Sequence, residues 1–220
     1  MDKLISDQKS SGRVVNWGSI EYGEALKRQR TLAQEVVSGG PQTLVLCEHP
    51  TVITLGRTYQ EKNLFLSREA LASRGIQVVA IDRGGDVTLH APGQLVAYPI
   101  IDLKRSHLGL RQFLQNLEQV AVDFLGSFAI VAQGDDNRRG VWVHGRKIAS
   151  IGISVSRWVT YHGIALNIST DLENFKLIRP CGLDVRMTSL EELTGREIGV
   201  DDAKQDFTEH FLRVFRWDKF

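Results

Sequence analysis

Three stretches of this chain combine residue types that suit chemistry better than packing. The first is Ile178-Arg179-Pro180-Cys181-Gly182, where a cysteine stands on a turn between proline and glycine. A thiolate on a turn is a possible nucleophile, but an isolated turn cysteine is more often inert, so Cys181 needs partners. The second is Gly145-Arg146-Lys147-Ile148-Ala149-Ser150-Ile151-Gly152. Here Lys147 opens an apolar run that reads as a buried strand. Such a lysine either reaches the surface along its own stem or is functional, and taken alone the first reading weighs more. The third is Arg83-Gly84-Gly85-Asp86-Val87-Thr88-Leu89-His90-Ala91-Pro92-Gly93-Gln94. Its glycines permit close backbone approach, and successive N–H groups in such a turn can cradle an anion or oxyanion. A plain tight hairpin has about even odds. The stretch lacks the Gly-Lys-Ser/Thr ending of a nucleotide-binding phosphate loop.

Other polar residues offer less. His49, His90, His107, His144, His162 and His210 are scattered, without HExxH or CxxC spacing, so no metal site is expected. His162, in Tyr161-His162-Gly163-Ile164-Ala165-Leu166-Asn167, can line a site, although a satisfied structural histidine fits equally well. Cys47 lies in the apolar run TLVLCEH and reads as a core thiol. Arg138 and Arg139 beside Asp135 and Asp136 read as a solvated loop.

The elements that must position these residues follow from periodicity. Residues 14–17 suggest a short strand. Ser19 to Ser38 forms an amphipathic helix with Ser19 as N-cap, Tyr22, Ala25, Leu26, Leu32, Ala33, Val36 and Val37 on one face, and Gly39-Gly40-Pro41 as stop. Strands are expected at 43–49 and 51–56, then a short helix from Ser67 and a strong β-branched strand at 76–82. Residues 83–100 read as loop and strand, and 109–126 as a helix. Strands follow at 129–132, 140–145, 147–156 and 161–169. Thr188 to Glu191 reads as a capping box, and a last helix covers about 201–215. The mixed order of elements favours an α+β fold with a mixed, mostly antiparallel sheet packed with helices.

Composition bounds the function classes. The chain has 220 residues, 42% hydrophobic and 24% charged, with a formal net charge of +1. It reads as one domain over 1–220. The balanced charge argues against a nucleic-acid partner. No apolar run approaches the roughly 18 residues of a membrane span. The N-terminal stretch reads as neither a secretory signal nor a transit peptide. Two distant cysteines favour a reducing, cytoplasmic location over a disulfide framework. Nothing suggests a coiled coil, so a monomer is expected.

Taken together, CEHPTVITLGR (47–57), RGGDVTLHAPGQLVAYPI (83–100), GVWVHGRKIASIGI (140–153), YHGIALNI (161–168) and IRPCG (178–182) resemble the lipoyl(octanoyl) transferase family within the biotin/lipoyl protein ligase group. The resemblance extends from Gly18 to about Leu193. It implies a biotin/lipoyl ligase-like catalytic domain without a cofactor, moving an octanoyl group from octanoyl-acyl carrier protein to a lysine ε-amine. The acceptors it implies are lipoyl domains of 2-oxoacid dehydrogenase complexes and the glycine cleavage H protein. It places the family's nucleophile on Cys181 and its essential lysine on Lys147. Acyl-substrate contacts would fall on Arg83, Gly84, Gly85, Asp86, Val87, Thr88, Leu89 and His90, on Ser150, Ile151 and Gly152, and on His162, Gly163, Ile164 and Ala165. Leu89 and Ala91 stand where the family usually has an aromatic residue and a glycine. Leu89 would give the acyl pocket an aliphatic wall. Ala91 would cost about 1 kcal/mol or more if its backbone needs a positive φ.

The implied chemistry is a two-step acyl transfer through a Cys181 thioester. An ordinary thiol of pKa ~8.5 is about 3% ionised at pH 7, so full ionisation needs roughly 2 kcal/mol of help. An ammonium about 4 Å away supplies up to ~4 kcal/mol at an effective dielectric of 20. Backbone N–H groups near Gly84-Gly85 and Ser150–Gly152 are candidate oxyanion donors. Gly163 and Ala165 would leave room for the chain. The alternatives are an ATP-dependent lipoate or biotin ligase, a catalytically inactive acyl- or lipoyl-domain-binding module, and a cysteine hydrolase pairing His162 with Cys181. The GRGRxG loop of biotin ligases is absent from the sequence.

Overall fold

The computed structural model describes residues 10–180 and 185–218. Eleven strands and five α-helices run through them in this order: β1 (Ser10–Ser19), α1 (Tyr22–Val37), β2 (Gln42–Glu48), β3 (Val52–Leu55), α2 (Arg68–Ala72), β4 (Gln77–Ala80), β5 (Val87–His90), β6 (Gln94–Ile100), α3 (Leu110–Gly126), β7 (Gln133–Gly134), β8 (Gly140–Val143), β9 (Arg146–Ser156), β10 (Val159–Asn167), α4 (Leu190–Thr194), α5 (Val200–Phe215) and β11 (Trp217–Asp218). Eight strands form one sheet in the order β11-β1-β2-β6-β10-β9-β8-β7, and three form a second in the order β4-β3-β5. The pairs β1–β2, β1–β11 and β3–β4 are parallel and the others antiparallel, so the α+β reading holds.

Strand alternation sorts the core onto two faces of the large sheet. Leu44 and Leu46 of β2 and Leu95 and Ala97 of β6 point to α3 and α5, against Phe113, Phe124, Phe207 and Phe211. Val45, Cys47, Val96 and Tyr98 point the other way, against Ala25, Ala33 and Val36 of α1. The small sheet has its own core of Ile53, Leu55, Val87, Leu89 and Ala91, joined by Phe175, Ile178 and Met187. Two-residue hairpins connect the central strands. His144 and Gly145 turn β8 into β9, and Arg157 and Trp158 turn β9 into β10, all four with positive φ as tight primed turns require.

Several expectations move. Strand β1 is longer than 14–17 and absorbs Ser19, so Glu21 is the N-cap of α1 and caps nothing through its side chain. Leu32 and Val37 are only half-buried, while Gln29, polar and unremarked in the periodicity, is fully buried. The stretch 129–132 is not a strand: Ala129 takes a left-handed turn after α3, Val131 is exposed, and pairing begins at Gln133. The 76–82 stretch is an edge strand of the small sheet, with Gln77 and Ala80 exposed. The cap of α4 is Ser189, whose hydroxyl accepts from Glu192 N, one register on from Thr188. Among the described residues no helix is long and apolar enough to cross a membrane.

Candidate active site

A pocket opens where the small sheet's Arg83–His90 arm meets the α1 face of the large sheet. The space within its lining, open solvent at the mouth included, is about 450 Å³. Arg83, Gly84, Gly85, Thr88 and His90 line one side; Ser150, Ile151 and Gly152 of β9 and His162, Gly163, Ile164 and Ala165 of β10 line the other. Tyr22, Val96 and Tyr98 complete it, and the motif reading had not assigned these three to a site.

Of the residues expected to contact the acyl chain, Asp86, Val87 and Leu89 do not line the pocket. The reason is the period of two along β5. Thr88 and His90 face the pocket, so Val87 and Leu89 face the small-sheet core, both fully buried. Asp86 is a structural carboxylate. Its Oδ1 accepts from Val87 N (2.8 Å) and Gln60 N (3.2 Å), and its Oδ2 accepts from Asn63 Nδ2 (2.5 Å). Leu89 therefore forms no wall of this pocket. Ala91 is not among the positive-φ residues and packs in the same small core, so its methyl group costs no backbone strain.

The end wall is a cluster of rings. Tyr22 stacks on His90 with centroids 5.6 Å apart and meets His49 edge-on at 5.2 Å. His49 Nδ1 lies 2.6 Å from Ile20 O, a group that only accepts, so the proton sits on Nδ1 and Nε2 accepts from Tyr98 OH at 2.7 Å. His90 Nδ1 donates to Gln94 Oε1 (2.8 Å). Burial pushes His49 down to about 4 and His90 down to about 3, the latter helped by His49 and held up by its bond to Gln94. Burial likewise raises the Tyr22 and Tyr98 hydroxyls. The wall is thus neutral at pH 7, and with the Val96 and Ala165 side chains on the same sheet face it suits an apolar chain; Ile151 and Ile164 belong to the α3–α5 core on the other face. Arg83 brings the cation. Its guanidinium donates to Thr54 O (2.8 Å), Thr54 Oγ1 (2.9 Å) and Gly84 O (3.0 Å).

His162 is strained and satisfied at once. It has φ 59° within β10. Its N–H donates to Gln29 Oε1 (2.8 Å), its Nε2 donates to Asp82 Oδ1 (3.2 Å), and its Nδ1 accepts from Tyr22 OH (3.3 Å). Burial lowers its pKa to about 4 despite the Asp82 carboxylate, so the ring is neutral. Asp82 also accepts from Tyr161 OH. With both ring nitrogens committed, His162 is not poised as a base toward a cysteine, which disfavours the hydrolase alternative. Gly163 has a packing role beyond making room: a Cβ there would lie 2.1 Å from Ala97 O. Gly84 N donates to Ile153 O (2.9 Å), which removes it from the candidate oxyanion donors.

Lys147 does not reach the surface. It is fully buried, its Nζ donates to Arg139 O (2.9 Å), and it lies 5.3 Å from the Trp142 ring centroid. It sits on β9, three residues before the pocket-lining Ser150, a span of roughly 10 Å in a strand. Cys181 lies outside the described residues, but the chain on either side of it is pinned. Before it, Arg179 N donates to Asn63 O (2.8 Å). After it, Lys147 N donates to Arg186 O (2.9 Å) and Thr188 N to Lys147 O (2.9 Å), a bridge of Met187 to the lysine's own strand. Gln94 then ties the pocket to the same place, since it donates to Asn167 Oδ1 (2.9 Å) and Asn167 donates to Thr188 O (3.0 Å).

Residues 21–212 match the lipoyl protein ligase A/B catalytic domain. The chain belongs to that family. It is 45% identical to an octanoyltransferase of Syntrophobacter fumaroxidans over 93% of this chain and 91% of the relative. It is 46% identical to an octanoyltransferase of Nitratidesulfovibrio vulgaris strain DP4 over 91% of this chain and 93% of the relative. The fold is similar to the crystal structure of lipoate-protein ligase A bound with ATP, with a TM-score of 0.76, 14% identity, and coverage of 96% of this chain and 87% of that one. At that identity the structural likeness carries the fold alone. The activity follows the sequence relatives: the enzyme is an octanoyltransferase of protein lipoylation, and the ligase alternative is not favoured.

Proposed function

We propose that this octanoyltransferase works through a Cys181 thioester, with Lys147 as its proton carrier. The observation that carries the reading is the buried Lys147 amine, held on Arg139 O at the end of the strand that lines the pocket. The chain that follows Cys181 pairs with the backbone of this same lysine, which supports their partnership.

The steps balance without a further reactant. The Cys181 thiolate, its proton on the Lys147 amine, attacks the thioester carbonyl of octanoyl-acyl carrier protein. The C–S bond to the carrier breaks, and the departing sulfur takes the proton from Lys147. The acceptor lysine, as free amine with its ammonium proton lost to solvent, attacks the octanoyl-Cys181 carbonyl. Lys147 takes the proton of the new C–N bond, and Cys181 leaves as thiolate. Thioester to amide runs downhill, so no ATP is consumed. Burying the alkyl tail at about 0.8 kcal/mol per CH₂ binds the donor against the neutral ring wall and the Val96 and Ala165 side chains.

Under this reading Arg83, Thr88, His90, Ser150, Gly152 and Gly163 contact or shape the site for the acyl group. Lipoyl domains of 2-oxoacid dehydrogenase complexes and the glycine cleavage H protein are the acceptors. The enzyme acts as a single catalytic domain, a monomer, in a reducing cytoplasm that keeps Cys181 a thiol.

The test is mass spectrometry of the protein mixed with octanoyl-acyl carrier protein. One octanoyl group on the Cys181 peptide, absent in Cys181→Ala along with transfer, is the expected result. Full transfer by Cys181→Ala, or transfer that requires ATP, overturns the reading.

A further inference from the structure

We infer that Glu118 is a positioning residue for octanoyl transfer, holding the Lys147 amine in place through the Arg139–Gly140 peptide at the start of β8; this rests on Lys147 as proton carrier. Glu118 is a carboxylate on α3, and its side chain is only 7% exposed. Such a group stays charged in a core only when its oxygens are satisfied. Both are spent on two consecutive residues: Oε2 on Arg139 Nη1 (3.0 Å) and Oε1 on Gly140 N (3.2 Å). Arg139 is the residue whose carbonyl accepts from Lys147 Nζ at 2.9 Å. The carboxylate therefore fixes the peptide that fixes the amine.

The peptide is shaped for the lysine as well as tied down. Gly140 has φ 138°, and a Cβ there would lie 2.6 Å from Lys147 Cε and 2.4 Å from Ala149 O. The space that a side chain would fill is filled by the lysine stem. Trp142, nearly fully buried, anchors its indole N–H on Arg138 O (3.1 Å) and presents its ring to the amine. Gly134 packs against the carboxylate so closely that a Cβ would lie 2.9 Å from Glu118 Oε2. A solvated loop, which is how 135–139 reads in sequence, needs none of this.

Glu118→Gln keeps the shape and the Gly140 bond but removes the buried charge on Arg139, whose Nη1 is then left to the more exposed Asp136 Oδ1 (3.1 Å). A small displacement of a proton-carrying group costs rate more than binding. Octanoyl transfer by Glu118→Gln should lose about tenfold to a hundredfold in kcat with KM nearly unchanged. The pH midpoint for iodoacetamide alkylation of Cys181 should move upward. Gly140→Ala should do the same by displacing the stem. In a Lys147→Ala background, Glu118→Gln should add no further loss, because residues acting as a unit are not additive.

Three results overturn the inference. One is a folded Glu118→Gln with wild-type kcat and alkylation profile while Lys147→Ala is impaired. Another is a Glu118→Gln loss of the same size in the Lys147→Ala background, which marks a general structural role. A Lys147→Ala enzyme with wild-type kcat and profile removes the proton-carrier reading itself, and Glu118's role with it.

Discussion

Acid should unfold this enzyme at a pH where most carboxylates are still charged, and three buried rings set the effect. His49, His90 and His162 are nearly inaccessible, at 0%, 7% and 1% exposure. Burial lowers them from the ordinary 6.5 to about 4, 3 and 4 respectively. In the unfolded chain each titrates near 6.5 and binds a proton that the native state refuses. A folded-state pKa below the unfolded one gives stability that is complete above 6.5 and is lost as pH falls toward the folded value. From pH 7 to pH 5 each ring favours unfolding by about 2 kcal/mol, since one pK unit is worth about 1.4 kcal/mol and the native rings stay largely neutral at pH 5. The three together remove about 5–6 kcal/mol, against a typical total of roughly 5–15 kcal/mol. Asp82 and the other carboxylates with lowered pKa work in the same direction, but only as pH falls from about 4 downward. Urea unfolding followed by circular dichroism at pH 7, 6 and 5 reads the effect. The midpoint should fall at each step with little change in m-value. A loss below about 1 kcal/mol between pH 7 and 5 would refute neutral burial of these rings.

Gly163→Ala should destabilise the protein by about 1–3 kcal/mol or more, because the new methyl group meets Ala97 O across β10 and β6; thermal melts of the variant and wild type measure it. Cys47 should resist iodoacetamide in the native enzyme at pH 7–8, since it is fully buried and burial raises its thiol pKa. Peptide mapping should find Cys47 alkylated only after denaturant is added, and rapid native labelling would contradict its placement in the core.

The linear order of residues determined a good deal here. Apolar spacing located the helices at Tyr22–Val37, Leu110–Gly126 and Val200–Phe215, because burying one stripe of a helix leaves a 3.6-residue trace. Strand-forming runs placed β8 and β9, although the expected strand 140–145 extends through His144 and Gly145, which form the hairpin turn. Residue types alone singled out Arg83–Gln94 and Gly145–Gly152 as poor choices for packing; the resemblance turned Arg83–His90, Ser150–Gly152 and Gly163–Ala165 into expected acyl contacts, and one pocket gathers all of these but Asp86, Val87 and Leu89. Only the family resemblance put a nucleophile on Cys181 and an essential lysine on Lys147, and Cys181 itself lies outside the described residues.

What folding alone decided concerns direction and partnership. Val87 and Leu89 fall in the same motif as Thr88 and His90, and only the side on which β5 meets its neighbours sends one pair to the pocket and the other to the small-sheet core. Tyr22, Val96 and Tyr98 read as ordinary core residues, since a ring that packs and a ring that closes a pocket share one sequence signal. Gln29 and Glu118 broke the polarity pattern of their helices without revealing why. Their partners, His162 N and the Arg139–Gly140 peptide, lie 133 and about 21 residues away along the chain. Hydrogen bonds across such separations form only when packing brings the elements together, so no local pattern records them.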